Sequence, residues 1–398
     1  MPRPEGLYQW AATVASRFPT LSRPQAFALA LWSFGLVLAR SCGLSSVALA
    51  LAPLLGRPDN TLRQRLREFY QEAGRKRGPR RRQLDPAACA APLLAWVVSG
   101  WGGRRLALAL DATALAGRLT VLAASVLYRG CAIPVAWAVL PGNEPGAWLP
   151  HWRALLARLR AALDGSWTVV VLTDRGLESA ELFRAVAALG WHPLMRAKAV
   201  GHFRPAGWHR FYPLAAFAAR PGARWAGAGE AYQRPAARLG CTLLACWGEG
   251  HHDRWLLLTD LPPSAADPAW YAYRAWVEQG FKVAKSAGWQ WQRSRMTDPA
   301  RAERLWAAVA VATLWLLEVG GAAEAAVPPE TLPAVRRHRV FRRGLALILA
   351  ALLRGEPPPG GRFVPEDWPE PARDIPPSTE DEFIQNHTSP GKPLAGEG

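Results

Sequence analysis

Residues 106–140 read LALALDATALAGRLTVLAASVLYRGCAIPVAWAVL. Leu106–Leu110 runs apolar into Asp111, and Thr120–Leu127 and Ile133–Leu140 follow, with Tyr128-Arg129-Gly130 and Pro141-Gly142-Asn143 as turn residues. Short apolar runs bounded by turn residues predict a three-stranded antiparallel meander. A helix over Trp148–Leu163 then leads to the largely β-branched run Thr168–Thr173, which ends in Asp174. A helix over Ser179–Leu189 and a strand over His192–Arg196 follow. Three strands, helix, strand, helix, strand predicts a mixed α/β fold, a sheet with helices on its faces.

That element order is the one of a ribonuclease-H-like core, which we expect to occupy residues 102–200 and to resume over 263–320. Residues 201–262 are rich in Gly, Pro and aromatics, with strand candidates at Cys241–Trp247 and Trp255–Leu261, and read as a β-rich insertion. Upstream, residues 1–98 read as helical: Pro24–Arg40, Ser45–Leu55 and Thr61–Ala73, the last capped by Asp59 or Asn60. A short helix, the turn Gly56-Arg57-Pro58, and a helix carrying Arg63, Arg65 and Arg67 resemble a helix-turn-helix aimed at a DNA groove. A basic linker, Arg75 to Arg82, follows. Downstream, 321–355 is a basic helical segment with Arg336, Arg337, Arg339, Arg342 and Arg343. Residues 356–398 hold ten prolines and nine acids and are expected to be disordered.

The charge is split accordingly. The chain of 398 residues has 48 Lys and Arg against 31 Asp and Glu, a net +17, and the first 355 residues alone carry 45 against 22, or +23. Only five of the 48 are Lys, which a GC-rich genome explains; it does not explain the sign. An excess of this size points to a polyanion, because cation contacts to phosphate release counterions. The apolar runs Ala26–Ala39 and Leu305–Leu317 fall short of the ~20 residues a bilayer span needs, and the start lacks a signal-peptide hydrophobic region. Five unpatterned cysteines fit a reducing compartment. The expectation is a soluble, cytoplasmic protein with no membrane partner. Cys241 and Cys246 match no common zinc spacing and read as core residues.

The candidate chemistry lies in Asp111, Asp174 and a helix over 267–288. At ~100° per residue, Tyr271, Arg274, Glu278 and Lys285 fall within about 60° of one another on that helix. Arg274 and Glu278 as a surface i,i+4 pair is the bland account of the stripe; a built site is the other.

The spacing Tyr271-x2-Arg274-x3-Glu278-x6-Lys285 resembles the signature of the insertion-sequence-four family of bacterial DDE transposases, and the resemblance extends over roughly Leu106 to Gly288. Leu110-Asp111-Ala112-Thr113 is similar to the family's first acidic motif. Thr173-Asp174-Arg175-Gly176-Leu177-Glu178 is similar to its second. Arg196-x-Lys198 looks like a pair that contacts the DNA backbone, and Arg254-Trp255 resembles the segment whose Trp stabilises a flipped base. A Trp in a Leu-rich strand is equally a core residue. The family often has an aromatic directly after the motif Arg; here Ala275 stands there and Trp276 comes one later.

The resemblance implies a cut-and-paste transposase in which Asp111, Asp174 and Glu278 bind two Mg²⁺ ions, for which Mn²⁺ can substitute. Carboxylate oxygens suit such hard ions, and a pair of ions can serve both oxygens of an in-line phosphoryl transfer. Tyr271, Arg274 and Lys285 would hold phosphates, with Arg175, Arg196, Lys198, Trp255, Arg63, Arg65 and Arg67 as further DNA contacts. The implied partners are double-stranded DNA, as terminal inverted repeats and target, and a second copy of the chain on paired ends. Two alternatives remain open at this stage: a nuclease of the same fold without strand transfer, and an inactive copy that only binds DNA. Glu178 and Glu181 read as charges in the first turn of the following helix.

Overall fold

The computed structural model describes residues 4–76, 82–144, 146, 148–250, 252–328, 339–371 and 379–388, at 4 and 386–388 for the backbone alone. Arg336, Arg337 and most of the basic linker lie outside these residues. The helices are α1 (Pro4–Arg17), α2 (Arg23–Ala39), α3 (Leu44–Leu55), α4 (Asp59–Tyr70) and α5 (Ala87–Ser99). Next come β1 (Arg105–Leu115), β2 (Leu119–Tyr128), β3 (Cys131–Pro141), α6 (Leu149–Arg160) and β4 (Thr168–Thr173). Then follow α7 (Ala180–Ala187), β5 (His192–Arg196), β6 (His202–Pro205), β7 (Tyr212–Pro213), β8 (Arg224–Ala231), β9 (Leu239–Cys246) and β10 (Trp255–Thr259). The chain closes with α8 (Ala275–Lys282), α9 (Pro299–Ala325), α10 (Arg339–Leu353) and α11 (Glu380–Thr388).

These elements form two compact units, residues 1–171 with 273–367, and residues 172–272 with 368–398. In the first, β1, β2 and β3 make the expected antiparallel meander, and β4 begins beside β1. Every residue of β2 is buried, which is why it reads as a continuous apolar run rather than an alternating one. Helix α8 lies on β3: a Cβ on Gly280 would sit 2.9 Å from the Ala132 methyl, so only glycine permits this approach. Helix α9 is the axis of the unit. It is 27 residues long and apolar enough to cross a membrane, yet 94% of its most apolar window is buried inside the protein, as expected of a core helix apolar all round. The single-run count from the sequence missed this length because Val319 to Ala325 extends the helix with Gly and Ala. Helices α9 and α10 touch through Gly320 and Gly344, each facing the other's backbone.

The N-terminal helices belong to this same unit. Trp10 stacks on Trp315 with ring centroids 4.0 Å apart, Trp32 donates to the Leu66 carbonyl, and Arg304 donates to that of Tyr70. The α3–α4 turn closes on Gly56 in the left-handed region (φ 58°), which glycine adopts without strain. Helix α4 starts at Asp59 after Pro58, with no side-chain cap, so neither Asp59 nor Asn60 plays the capping part expected. Leu62, Leu66 and Phe69 face inward, and Arg63, Arg65 and Arg67 are exposed.

The expectation of a disordered tail fails over 356–371 and 379–388. Phe363 is buried against Tyr128 and Trp101, Arg129 donates to the Val364 carbonyl at 2.6 Å, and Trp315 donates to that of Pro359. Buried Glu324 gathers Arg129 (3.6 Å) and Arg339 (3.7 Å) beneath this strap. A few aromatic anchors hold a segment whose composition alone argues for disorder.

In the second unit the strand order is β5-β10-β9-β8-β6-β7, with each of these pairings antiparallel. The β-rich segment therefore continues the sheet edge-on from β5.

Candidate active site

Asp111 lies inside β1, paired opposite Ala123, rather than at a strand end as the sequence suggested. Thr113, two residues on, shares its face. Both meet the polar edge of the helix that carries the signature. Asp111 Oδ2 accepts from Arg274 Nη2 at 2.9 Å, Arg274 Nη1 reaches Glu278 Oε1 at 3.3 Å, and Lys285 Nζ donates to Thr113 Oγ1 at 2.9 Å. Asp111 Oδ1 accepts from the Ala112 N–H at 2.8 Å. The Asp111 and Arg274 side chains are 16% and 13% exposed, Glu278 58%. One guanidinium thus joins two carboxylates that are 167 positions apart, Asp111 and Glu278.

The helix that does this is not uniform. Pro268–Arg274 is 3₁₀, Ala275–Lys282 is α, and Val283–Ala287 is a π turn closed by the Gly288 and Trp289 N–H groups on the Val283 carbonyl. The constant 100° step used on the sequence therefore does not hold, and π turns are frequent at functional sites. Val277 and Phe281 are buried, while Arg274, Glu278 and Lys285 keep to the Asp111 side. Tyr271 belongs to the second unit, where it is buried with its ring edge-on to Trp255 at 5.4 Å and beneath the Arg196 guanidinium at 6.0 Å.

In that second unit Asp174 follows β4 directly, as the sequence suggested. Its Oδ1 accepts from the Gly176 N–H at 2.9 Å and caps the short 3₁₀ turn Arg175–Leu177. Arg175 and Arg196 both pair with Asp253, at 3.1 and 2.9 Å, and Arg196 also donates to the Arg254 carbonyl. Lys198 is exposed. Trp255 is half-buried. Asp253 had no local sequence signal; only the pairing of β10 with β5 brings it to Arg196.

Glu178 also differs from expectation. Ser179 caps α7, its Oγ accepting from the Leu182 N–H, whereas Glu178 accepts from the Lys198 N–H at 2.9 Å. Burial pushes the Glu178 carboxyl up, against the lowering by that N–H and by Tyr232. Cys241 is buried, its thiol pushed up to about 12 by desolvation, and Cys246 is half-buried and raised for the same reason.

Among the described residues, no three His, Cys, Asp or Glu side chains are grouped closely enough to hold a metal. The pair Asp111 and Glu278 nevertheless already shares one cation, the Arg274 guanidinium, and offers hard oxygen donors. That chemistry fits a Mg²⁺-like ion.

The family model described as Transposase DDE domain matches residues 139–315, taking in Asp174 and Glu278 and beginning after Asp111. Among solved structures, a cryo-EM piggyBac transposase synaptic complex with hairpin DNA is similar, with 10% identity and a TM-score of 0.34, covering 98% of this chain and 84% of that chain. No curated protein matches the chain. The segment 139–315, somewhat under half of the chain, is thus similar to a DDE transposase domain.

Proposed function

We propose that this chain is a cut-and-paste transposase of the insertion-sequence-four family with a ribonuclease-H-like catalytic core. The observation that carries the reading is the Asp111–Arg274–Glu278 bridge with Lys285 on Thr113. Three of the four signature positions meet the first acidic motif, a convergence that a solvated helix face does not require. The core assignment is supported by the meander, helix, strand, helix, strand order of β1 to β5.

In this reading Asp111, Asp174 and Glu278 would hold two Mg²⁺ ions, with Mn²⁺ able to substitute, and such ions would supply Lewis acidity to an in-line displacement. Arg274 holds the scissile or neighbouring phosphate through its planar fork, and Lys285 adds a point charge oriented by Thr113. Water breaks the P–O bond at the transposon end and leaves a 3′-OH. That hydroxyl then attacks a target phosphodiester, so one P–O bond forms as another breaks and no protein side chain becomes covalently attached. Arg175, Arg196 and Lys198 steer the DNA backbone, Tyr271 orders Arg196 and Trp255, and Trp255 offers a half-exposed π face for an extruded base. Exposed Arg63, Arg65 and Arg67 hold the terminal repeat, and a homodimer on paired ends acts in the bacterial cytoplasm.

The test is strand transfer with pre-cleaved ends. Ends bearing a free 3′-OH are expected to join to target plasmid, and ends blocked with a 3′-dideoxy nucleotide are not. Hydrolysis without joining would leave only a nuclease, and binding without either would leave a DNA-binding protein.

A further inference from the structure

The acidic helix α11 is seated on the β-rich segment of its own unit in an unusual way. Its first carboxylate is held by the loop: Glu380 Oε2 accepts from the His209 backbone N–H at 3.0 Å, and Oε1 accepts from the Tyr212 hydroxyl at 2.7 Å. The Arg210 backbone N–H adds a further hydrogen bond, and together these hold the carboxyl below its usual range, the His209 N–H contributing most. One turn on, Phe383 is buried among Trp208 (5.0 Å), Tyr212 (5.2 Å) and Phe217 (4.9 Å, stacked). Behind Phe217 stands Trp225, at 4.6 Å. Beside the loop, Arg204 and Arg238 flank the Phe211 ring at 5.1 and 5.5 Å.

Successive backbone N–H groups with a hydroxyl form an anion cradle, and here an anion fills it. The wall next to the cradle is aromatic. The surrounding segment, 201–262, has seven Arg against four acids. A cationic field, an anion cradle and adjoining π faces are together what a single strand needs for its phosphate and its unstacked base. The helix that occupies the place begins Glu380-Asp381-Glu382 and presents a carboxylate and an aromatic ring one turn apart.

We propose that the loop His209–Tyr212 with Trp208 and Phe217 is a binding site for one phosphate and one unstacked base of a nucleic-acid strand, and that α11 occupies it in cis through Glu380 and Phe383. The site shares no residue with Asp111, Asp174 and Glu278. The inference rests on the reading that DNA is the partner. Burial under α11 and the hydrogen bond to Glu380 push the Tyr212 phenol up to about 12, so at neutral pH the hydroxyl remains a donor for whichever anion sits there.

The test is fluorescence anisotropy of a labelled oligothymidylate on the full chain, without divalent ions, so that the outcome is independent of cleavage. Glu380→Gln with Phe383→Ala is expected to raise affinity about tenfold, the scale of a single base–aromatic contact. A peptide spanning residues 379–388, added in trans, should reverse the gain. Trp208→Ala in the same background should remove it. Unchanged affinity in the double variant overturns the proposal and makes α11 a structural support; a gain that survives Trp208→Ala overturns it by placing the strand elsewhere. Should the double variant fail to fold, Glu380→Gln alone must still give a gain of about threefold, a reduced form of the same effect. The failure of the transposase reading shows separately, as strand transfer indifferent to the three acids.

Discussion

Replacing Arg274 by Met tests the junction at which the signature helix meets β1. The guanidinium donates to Asp111 at 2.9 Å and to Glu278 at 3.3 Å. Asp111 and Arg274 are both well under a third exposed, so loss of the cation takes a charged partner from a largely desolvated carboxylate. Breaking a fully buried pair from one side costs about 3–5 kcal/mol; the sixth of the Asp111 side chain that reaches water brings this to about 2–3 kcal/mol. Glu278 is more than half exposed, and its share is below about 1 kcal/mol after solvent screening. Asp111→Asn removes the charge that Arg274 neutralises, so adding it to Arg274→Met should cost little more. Urea unfolding of the four proteins in metal-free buffer, followed by Trp fluorescence, gives the cycle. The expected coupling is about 2 kcal/mol, within the range for contacting pairs. Additivity to within about 0.5 kcal/mol would refute the claim that Arg274 holds Asp111 in place.

Phe363→Ala should cost about 3–5 kcal/mol by emptying the site between Tyr128 and Trp101, read as a lower urea midpoint; a loss under 1 kcal/mol would mean the strap is not anchored there. Gly344→Ala would drive a Cβ into the Leu316 carbonyl, and overpacking of this kind costs about 1–3 kcal/mol or more, measurable as a fall in Tm with separation of α9 from α10. Burial raises the Glu318 carboxyl to about 7, partly opposed by Arg17 and by a hydrogen bond with Trp96. A carboxyl raised on folding stabilises fully below its unfolded value and progressively less as pH rises through the folded one. Stability should therefore fall by up to about 3 kcal/mol between about pH 4.5 and 7, and Glu318→Gln should flatten that segment of the urea profile.

What could be read from the sequence was whatever the chain encodes locally. The meander was legible because β2 and β3 are buried on both faces and broken only by tight turns, and β4 and β5 keep their expected bounds. Asp298 caps α9 with its own carboxylate, accepting from the Arg301 N–H, a cap that lies within the local sequence. The full length of β1 was hidden because Asp111 and Thr113 interrupt its apolar run. The change from 3₁₀ to α to π across 268–287 leaves no mark in the spacing of Tyr271, Arg274, Glu278 and Lys285. Over 356–371 and 379–388 composition misleads for a physical reason: it averages over Phe363 and Phe383, whose buried rings anchor those stretches. Asp253 and Glu178 owe their roles to partners far along the chain, which no local pattern encodes.

The central claim is that Asp111, Asp174 and Glu278 serve one phosphoryl transfer. Its most direct test is divalent-ion-dependent cleavage of plasmid DNA carrying this element's ends, by the wild type and by Asp111→Ala, Asp174→Ala and Glu278→Ala, with end binding measured alongside. The account predicts cleavage in Mg²⁺ or Mn²⁺, reduced at least about a thousandfold in each variant, the scale of losing an electrostatic group at the reacting phosphate, with end binding retained. Wild-type cleavage by any one of the three would contradict it.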